Sequence, residues 1–182
     1  MIPDGRLAIG GPGNIEIWHP QNASFILSLN NTDKEVWSMA VLNNEKLASG
    51  SFALVRIWNT KTGKLLFSLT KHTEQVVALA SLPNNKLASG SYDNTVMIWN
   101  TLTGQQLFTL NGHLNMLSSL AVLPSGLLAS GSYDSTVRIW NPDSGKLIQT
   151  LSNHTSYVYT VKALPNGLLA SGSKDGTVKI WG

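Results

Sequence analysis

Apolar residues come in short clusters, and Gly, Asn, Asp, Ser and Pro fill the gaps between them. Leu65-Leu66-Phe67-Ser68-Leu69 is followed by Val76-Val77-Ala78-Leu79-Ala80-Ser81-Leu82, then Leu87-Ala88-Ser89-Gly90, then Thr95-Val96-Met97-Ile98-Trp99. Pro83-Asn84-Asn85, Tyr92-Asp93-Asn94 and the Asn100 to Gly104 stretch separate such clusters. β-Branched residues gather just before each Trp and turn residues sit between the clusters, so the pattern predicts four short strands per unit. No segment keeps apolar spacing of i, i+3, i+4, i+7 for long enough to make a helix.

The pattern repeats. Trp18, Trp58, Trp99, Trp140 and Trp181 are 40, 41, 41 and 41 residues apart. Three phrases are close copies: Leu87-Ala-Ser-Gly-Ser-Tyr-Asp-Asn-Thr-Val-Met-Ile-Trp99, Leu128-Ala-Ser-Gly-Ser-Tyr-Asp-Ser-Thr-Val-Arg-Ile-Trp140 and Leu169-Ala-Ser-Gly-Ser-Lys-Asp-Gly-Thr-Val-Lys-Ile-Trp181. Two weaker copies end at Trp18 and Trp58. A fixed period with one indole per unit selects a β-propeller over a sandwich or barrel. The expected fold is all-β, with four-stranded antiparallel blades in an incomplete or open ring. At one blade per repeat, 182 residues supply about 4.4 blades. The expected units are a partial blade at 1–29, blades at 30–70, 71–111 and 112–152, and a partial blade at 153–182.

Composition narrows the function classes. Apolar residues make up 42% and charged residues 13%, the opposite of a disordered chain. The absence of cysteine removes disulfides, thiolate metal sites and cysteine nucleophiles. The net charge of +3 comes from 13 Lys and Arg spread singly, which favours solubility over nucleic-acid binding. No stretch is long and apolar enough for a membrane helix, and Met1 to Arg6 does not read as a signal peptide, so the expected compartment is the cytoplasm and no membrane partner is expected. Gly10-Gly-Pro-Gly13 reads as a hairpin turn, because it lacks the Lys of a phosphate loop and leads into a strand. Asp33, Glu35 and Glu45 fall on a loop, a strand start and a turn, and read as a solvated rim.

Over essentially its whole length the sequence resembles the WD-repeat β-propeller family. Gly112-His113 matches the Gly-His of that family, and Lys71-His72 and Asn153-His154 keep the His. The Trp is followed by Asn59, Asn100 and Asn141 in place of Asp, and Thr32 stands where the earliest His belongs. The turn acid is missing from the first two units. In units three to five, four residues recur at fixed offsets: His72, Ser89, Asp93, Trp99; His113, Ser130, Asp134, Trp140; His154, Ser171, Asp175, Trp181. Such a set suggests a hydrolase, but a nucleophile is needed once, in a cleft beside an oxyanion hole. A set copied into each blade reads as a structural staple, in which carboxylate, imidazole, hydroxyl and indole bond in series, and the resemblance implies the same tetrad. No catalytic residue is expected. His residues on separate blades cannot converge on a metal, and no cofactor is expected.

The resemblance also places the partner-facing positions: the residue before the turn acid, and the residues three and five beyond the His. These are Tyr92, Tyr133 and Lys174, with Phe52 as the equivalent in the shorter unit, together with Gln75, Val77, Met116, Ser118, Tyr157 and Tyr159. Counting from Thr32 adds Glu35 and Trp37. All four tyrosines of the chain fall on this set, as does the one Trp outside the repeat series. Aromatics with a polar tip are enriched at protein interfaces, so a rim for a protein or peptide partner is expected. The expected function is a non-catalytic scaffold; the alternative is a sensor or targeting part of a larger protein with a separate enzymatic or nucleotide-binding module. Propellers have 4–8 blades, and the family usually seven, in roughly 290 residues. The open arithmetic leaves a fragment of a longer propeller, a strained five-blade ring, or association through open blade edges.

Overall fold

The computed structural model describes residues 1–2, 4–30, 35–43 and 45–182. Thr32 and Asp33 lie outside the described residues. The described residues form eighteen strands in five antiparallel sheets and no helix, so no helix is long and apolar enough to cross a membrane.

Sheet one holds β1 (Leu7–Gly10), β2 (Ile15–His19) and β3 (Ser24–Leu29). Sheet two holds β4 (Ser38–Leu42), β5 (Lys46–Ser51), β6 (Leu54–Asn59) and β7 (Leu65–Leu69). Sheet three holds β8 (Val76–Leu82), β9 (Lys86–Ser91), β10 (Val96–Asn100) and β11 (Gln106–Leu110). Sheet four holds β12 (Leu117–Val122), β13 (Leu128–Ser132), β14 (Val137–Asn141) and β15 (Lys146–Leu151). Sheet five holds β16 (Val158–Ala163), β17 (Leu169–Ser173) and β18 (Val178–Trp181). Strands pair in chain order within each sheet, as successive hairpins.

Turn chemistry sets the hairpins. After Trp58, Trp99 and Trp140, an Asn side chain accepts from the backbone two and three residues on: Asn59 from Lys61 at 3.0 Å and Thr62 at 2.9 Å, and Asn100 from Leu102 at 2.8 Å. Gly63, Gly104 and Gly145 close these turns at φ 70–73°, where a side chain would be strained. Between the second and third strands, Asn94, Ser135 and Gly176 take the left-handed position. The shorter turn of sheet two puts Ala53 there at φ 57°, which costs about 1–2 kcal/mol in a residue with a Cβ. A register shift between Ile and Trp recurs in sheets one to four, at Ile17/Trp18, Ile57/Trp58, Ile98/Trp99 and Ile139/Trp140, where the outer strand pairs.

Packing follows the same period. Trp58 packs with Ile15 and Ile17 of sheet one, Trp99 with Val55 and Ile57 of sheet two, and Trp140 with Val96 and Ile98 of sheet three. Trp181 packs on the cluster holding Val137 and Ile139. Each such Val or Ile, fully buried, contributes roughly 1.5–3 kcal/mol of gross stabilisation. Backbones approach closely here: a Cβ on Gly50 would stand 2.8 Å from Val76, and one on Gly131 would stand 3.0 Å from Val158 of the next sheet.

The five sheets form an open arc. No buried cluster among the described residues joins sheet five to sheet one, and the strained five-blade ring is not what forms. Among the described residues, the first and last sheets have three strands each and the other three have four. The physical reason is geometric: each interface fixes the angle between neighbouring sheets, and five such angles do not complete a turn.

Candidate functional site

Three copies of one hydrogen-bond chain run through sheets three to five. His72 Nδ1 lies 2.7 Å from Asp93 Oδ2, His72 Nε2 lies 2.7 Å from Ser89 Oγ, and Trp99 Nε1 donates to that Oγ at 2.7 Å. His113 repeats this with Asp134 at 2.8 Å and Ser130 at 2.7 Å, and Trp140 donates to Ser130 at 2.8 Å. His154 does so with Asp175 at 2.7 Å and Ser171 at 2.8 Å, and Trp181 donates to Ser171 at 2.8 Å. A carboxylate only accepts, so Nδ1–H donates to the Asp. Nε2 of a neutral ring then accepts from the Ser hydroxyl, and the Ser oxygen accepts from the indole.

The other oxygen of each carboxylate closes its own turn. Asp134 Oδ1 accepts from Thr136 N at 2.9 Å and Thr136 Oγ1 at 2.7 Å, and its Oδ2 also accepts from Leu114 N at 3.0 Å. Burial pushes the Asp93 and Asp134 carboxyls up, but the bonds from imidazole and threonine together outweigh it and hold both well below the usual carboxylate range. For Asp175 the Thr177 hydroxyl is the largest cause, and its carboxyl is likewise held low.

Sheets one and two carry reduced versions. Trp58 Nε1 donates to Ser49 Oγ at 2.9 Å. In sheet one, Ile9 pairs with Glu16 at the register position where the other sheets have the serine, and Trp18 Nε1 donates to Glu16 Oε2 at 2.9 Å.

The tetrads look like catalytic triads in distance alone. Ser89 and Ser130 are fully buried and Ser171 nearly so, and each Oγ already accepts from an indole. A nucleophile needs that lone pair free and a substrate within reach. The three tetrad histidines precede the inner strands of three different sheets, and no group of His, Asp and Glu among the described residues could hold a metal ion.

A second feature lies at the end of the sheets that bears the turn between second and third strands. Tyr92 N donates to Gln75 O, Tyr133 N to Met116 O and Lys174 N to Tyr157 O, all at 2.9 Å. Phe52, in the turn of sheet two, bridges across to Gln75 just ahead of the inner strand of sheet three. This clip sets the turn residue of one sheet beside the inner strand. The rings then meet between sheets. Tyr133 stacks on Tyr157 with centroids 4.8 Å apart, meets Tyr159 edge-on at 5.9 Å and approaches Tyr92 at 6.4 Å. Lys174 Nζ lies 5.0 Å from the Tyr157 ring centre. Burial, then the Tyr92 hydroxyl beside it, pushes the Tyr133 phenol up. Trp37, Phe52, Met116, Tyr157 and Tyr159 are exposed. Trp37 N bonds Gly50 O at 2.9 Å and Glu35 bridges Pro12, away from the tyrosine cluster.

Two details escape the sequence reading. Ser118 turns inward and donates to Val158 O of the next sheet at 2.6 Å, so it does not line the rim. Leu114, 84% exposed, follows His113 where the other two units have Thr73 and Thr155. That break in the repeat was its only signal.

Residues 63–100, 104–141 and 145–182 match the WD domain, G-beta repeat model. The chain belongs to the WD40 family. The matched stretches hold all three full tetrads. Among solved structures, the WD40 β-propeller domain of Doa1 is similar at 25% identity and a TM-score of 0.86. The computationally designed Ika8 protein is similar at 30% identity and a TM-score of 0.89. Both comparisons cover 100% of this WD40 chain, which spans 62% of the Doa1 chain and 56% of the Ika8 chain. No curated protein matches the sequence.

Proposed function

We propose that this WD40 chain is a non-catalytic scaffold that holds a protein or peptide partner on its tyrosine-bearing face. WD40 propellers typically serve as protein-interaction scaffolds, and this reading gives that role specific residues. The observation that carries it is the convergence of Tyr92, Tyr133, Tyr157 and Tyr159 from three sheets into one contacting group. Rings held by one another lose little freedom on binding, and Tyr157 and Tyr159 are exposed to a partner. Phe52, Gln75 and Met116 extend the surface, and Glu35 and Trp37 lie beyond it. Lys174 is the one cation among these positions, and phosphate backbones call for several. The tetrads hold the turns that aim Tyr92, Tyr133 and Lys174.

Peptides selected from a random displayed library on the chain give the test, read by titration calorimetry. Tyr157→Ala and Tyr159→Ala should each weaken binding by about tenfold or more. Lys61→Ala, on a turn at the opposite end of the sheets, should leave it unchanged. Peptides indifferent to both tyrosines would overturn this assignment.

A further inference from the structure

Sheets two, three and four are each flanked on both sides, and they differ in how one turn is tied down. In sheet two, Thr60 donates through its N–H and its hydroxyl to the Glu45 carbonyl, at 2.8 and 2.9 Å. In sheet three, Thr101 donates in the same way to the Asn85 carbonyl, at 2.8 and 3.0 Å. Each threonine, just after the Trp and Asn, thereby locks the turn between the first two strands of its own sheet. Both are buried. In sheet four the equivalent residue is Pro142, which has neither an N–H nor a hydroxyl. Gly126 stands where Glu45 and Asn85 do and keeps their positive φ, at 83°, but its carbonyl accepts no hydrogen bond from the described residues.

The preceding sheet widens the difference. Lys46 of sheet two donates across to the Thr101 carbonyl at 2.9 Å, as Arg6 of sheet one does to the Thr60 carbonyl at 2.6 Å. Lys86 of sheet three, at the equivalent position, pairs instead with Asp143. A cleft of about 100 Å³ lies between sheets three and four as a result, at the end of the sheets opposite the tyrosine face. Leu82, Pro83, Leu127 and Pro142 give it apolar walls, Gly126 lines it with the bare carbonyl, and the Lys86–Asp143 pair completes it.

These features define an occupant. The carbonyl calls for a donor, and the walls call for an apolar body. Proline rings pack against aromatic rings, as proline-rich segments do in aromatic grooves. The ion pair is neutral as a whole and favours no net charge. A cavity of about 150 Å³ encloses a benzene ring, so this smaller, open cleft admits one six-membered ring and not an indole. We propose that the cleft is a second binding site, which takes the tyrosine side chain of a partner peptide. The phenol O–H donates to Gly126 O, in the place that the threonine hydroxyl takes in sheets two and three, and the ring lies between Pro83 and Pro142. The site is separate from the tyrosine face and does not depend on it.

Titration of N-acetyl-tyrosinamide into the isotope-labelled chain, followed by amide NMR shifts, tests this. The amides of Gly126, Leu127 and Asp143 should move and saturate. N-acetyl-phenylalaninamide, which lacks the hydroxyl, should bind about fivefold more weakly. Pro142→Thr supplies the N–H and hydroxyl from within, and should abolish the saturable shifts while circular dichroism shows an intact fold. Pro83→Ala removes one wall at an exposed turn residue and should weaken binding by about fivefold or more, which decides the matter should Pro142→Thr fail to fold. Shifts at the cleft amides that stay linear to about 10 mM overturn the proposal. So do equal affinities for the two ligands, unchanged binding in folded Pro142→Thr, and saturable shifts confined to the tyrosine face.

Discussion

Asp134→Ala removes four hydrogen bonds at once, and they are not of equal weight. The bonds from Thr136 N, Thr136 Oγ1 and Leu114 N close a turn that water can reach. The bond from His113 Nδ1, at 2.8 Å, is different, because His113 and Ser130 behind it are buried. Truncation strands an imidazole N–H in a site with no other carboxylate. A stranded buried donor costs about 1–3 kcal/mol, and the lost bond is of the stronger, charge-assisted kind. The expected destabilisation is about 1–3 kcal/mol, or roughly 3–10 °C in melting temperature for a chain of this length. Urea unfolding followed by circular dichroism should show a lower midpoint at unchanged slope. Asp143→Ala is the control: this exposed carboxylate pairs with Lys86 outside the core, and its loss should stay within about 0.5 kcal/mol. Asp134→Ala behaving like Asp143→Ala would refute the view that the tetrads stabilise the blades.

The same carboxylates predict acid sensitivity. The folded protein holds Asp93, Asp134 and Asp175 below the ordinary 3.8, so the unfolded chain takes up protons first as pH falls. The stability they supply is complete above that value and is lost as pH drops through it toward the folded values. Melting temperature should fall steadily below about pH 4, and less steeply in Asp134→Ala; a flat profile down to pH 2.5 would count against it. Amide hydrogen exchange should be fastest over about residues 1–58 and slowest in sheets three and four, because sheets one and two lack full tetrads and Ala53 is strained. Uniform protection, or slowest exchange in sheet one, would show that tetrads do not set local stability.

The blade pattern was legible because every buried position recurs. Val55, Val96 and Val137 occupy one environment three times, so period and burial reinforce each other. Less legible was the direction of inner-strand side chains. Register shifts at Val76/Ala78, Leu117/Ser119 and Val158/Thr160 put a bulge at Val77, Ser118 and Tyr159. At these equivalent positions Ser118 turns into the neighbouring sheet and Tyr159 meets Tyr133 on the surface. A small hydroxyl fits between sheets and a phenol ring does not, so size, and not spacing, decides. The Tyr133–Tyr157 stack was equally hidden, because it depends on the angle between two sheets.

The faster exchange expected at the start of the chain has a cause inside the blade. Ile9 in place of the serine leaves Trp18 bonded to Glu16, which weakens sheet one from within. In an array, stability sums the worth of each unit and of each interface, so a unit without the buried serine and the turn acid opens before its neighbours. Sheets three and four carry full tetrads and are flanked on both sides, so their amides should stay closed longest.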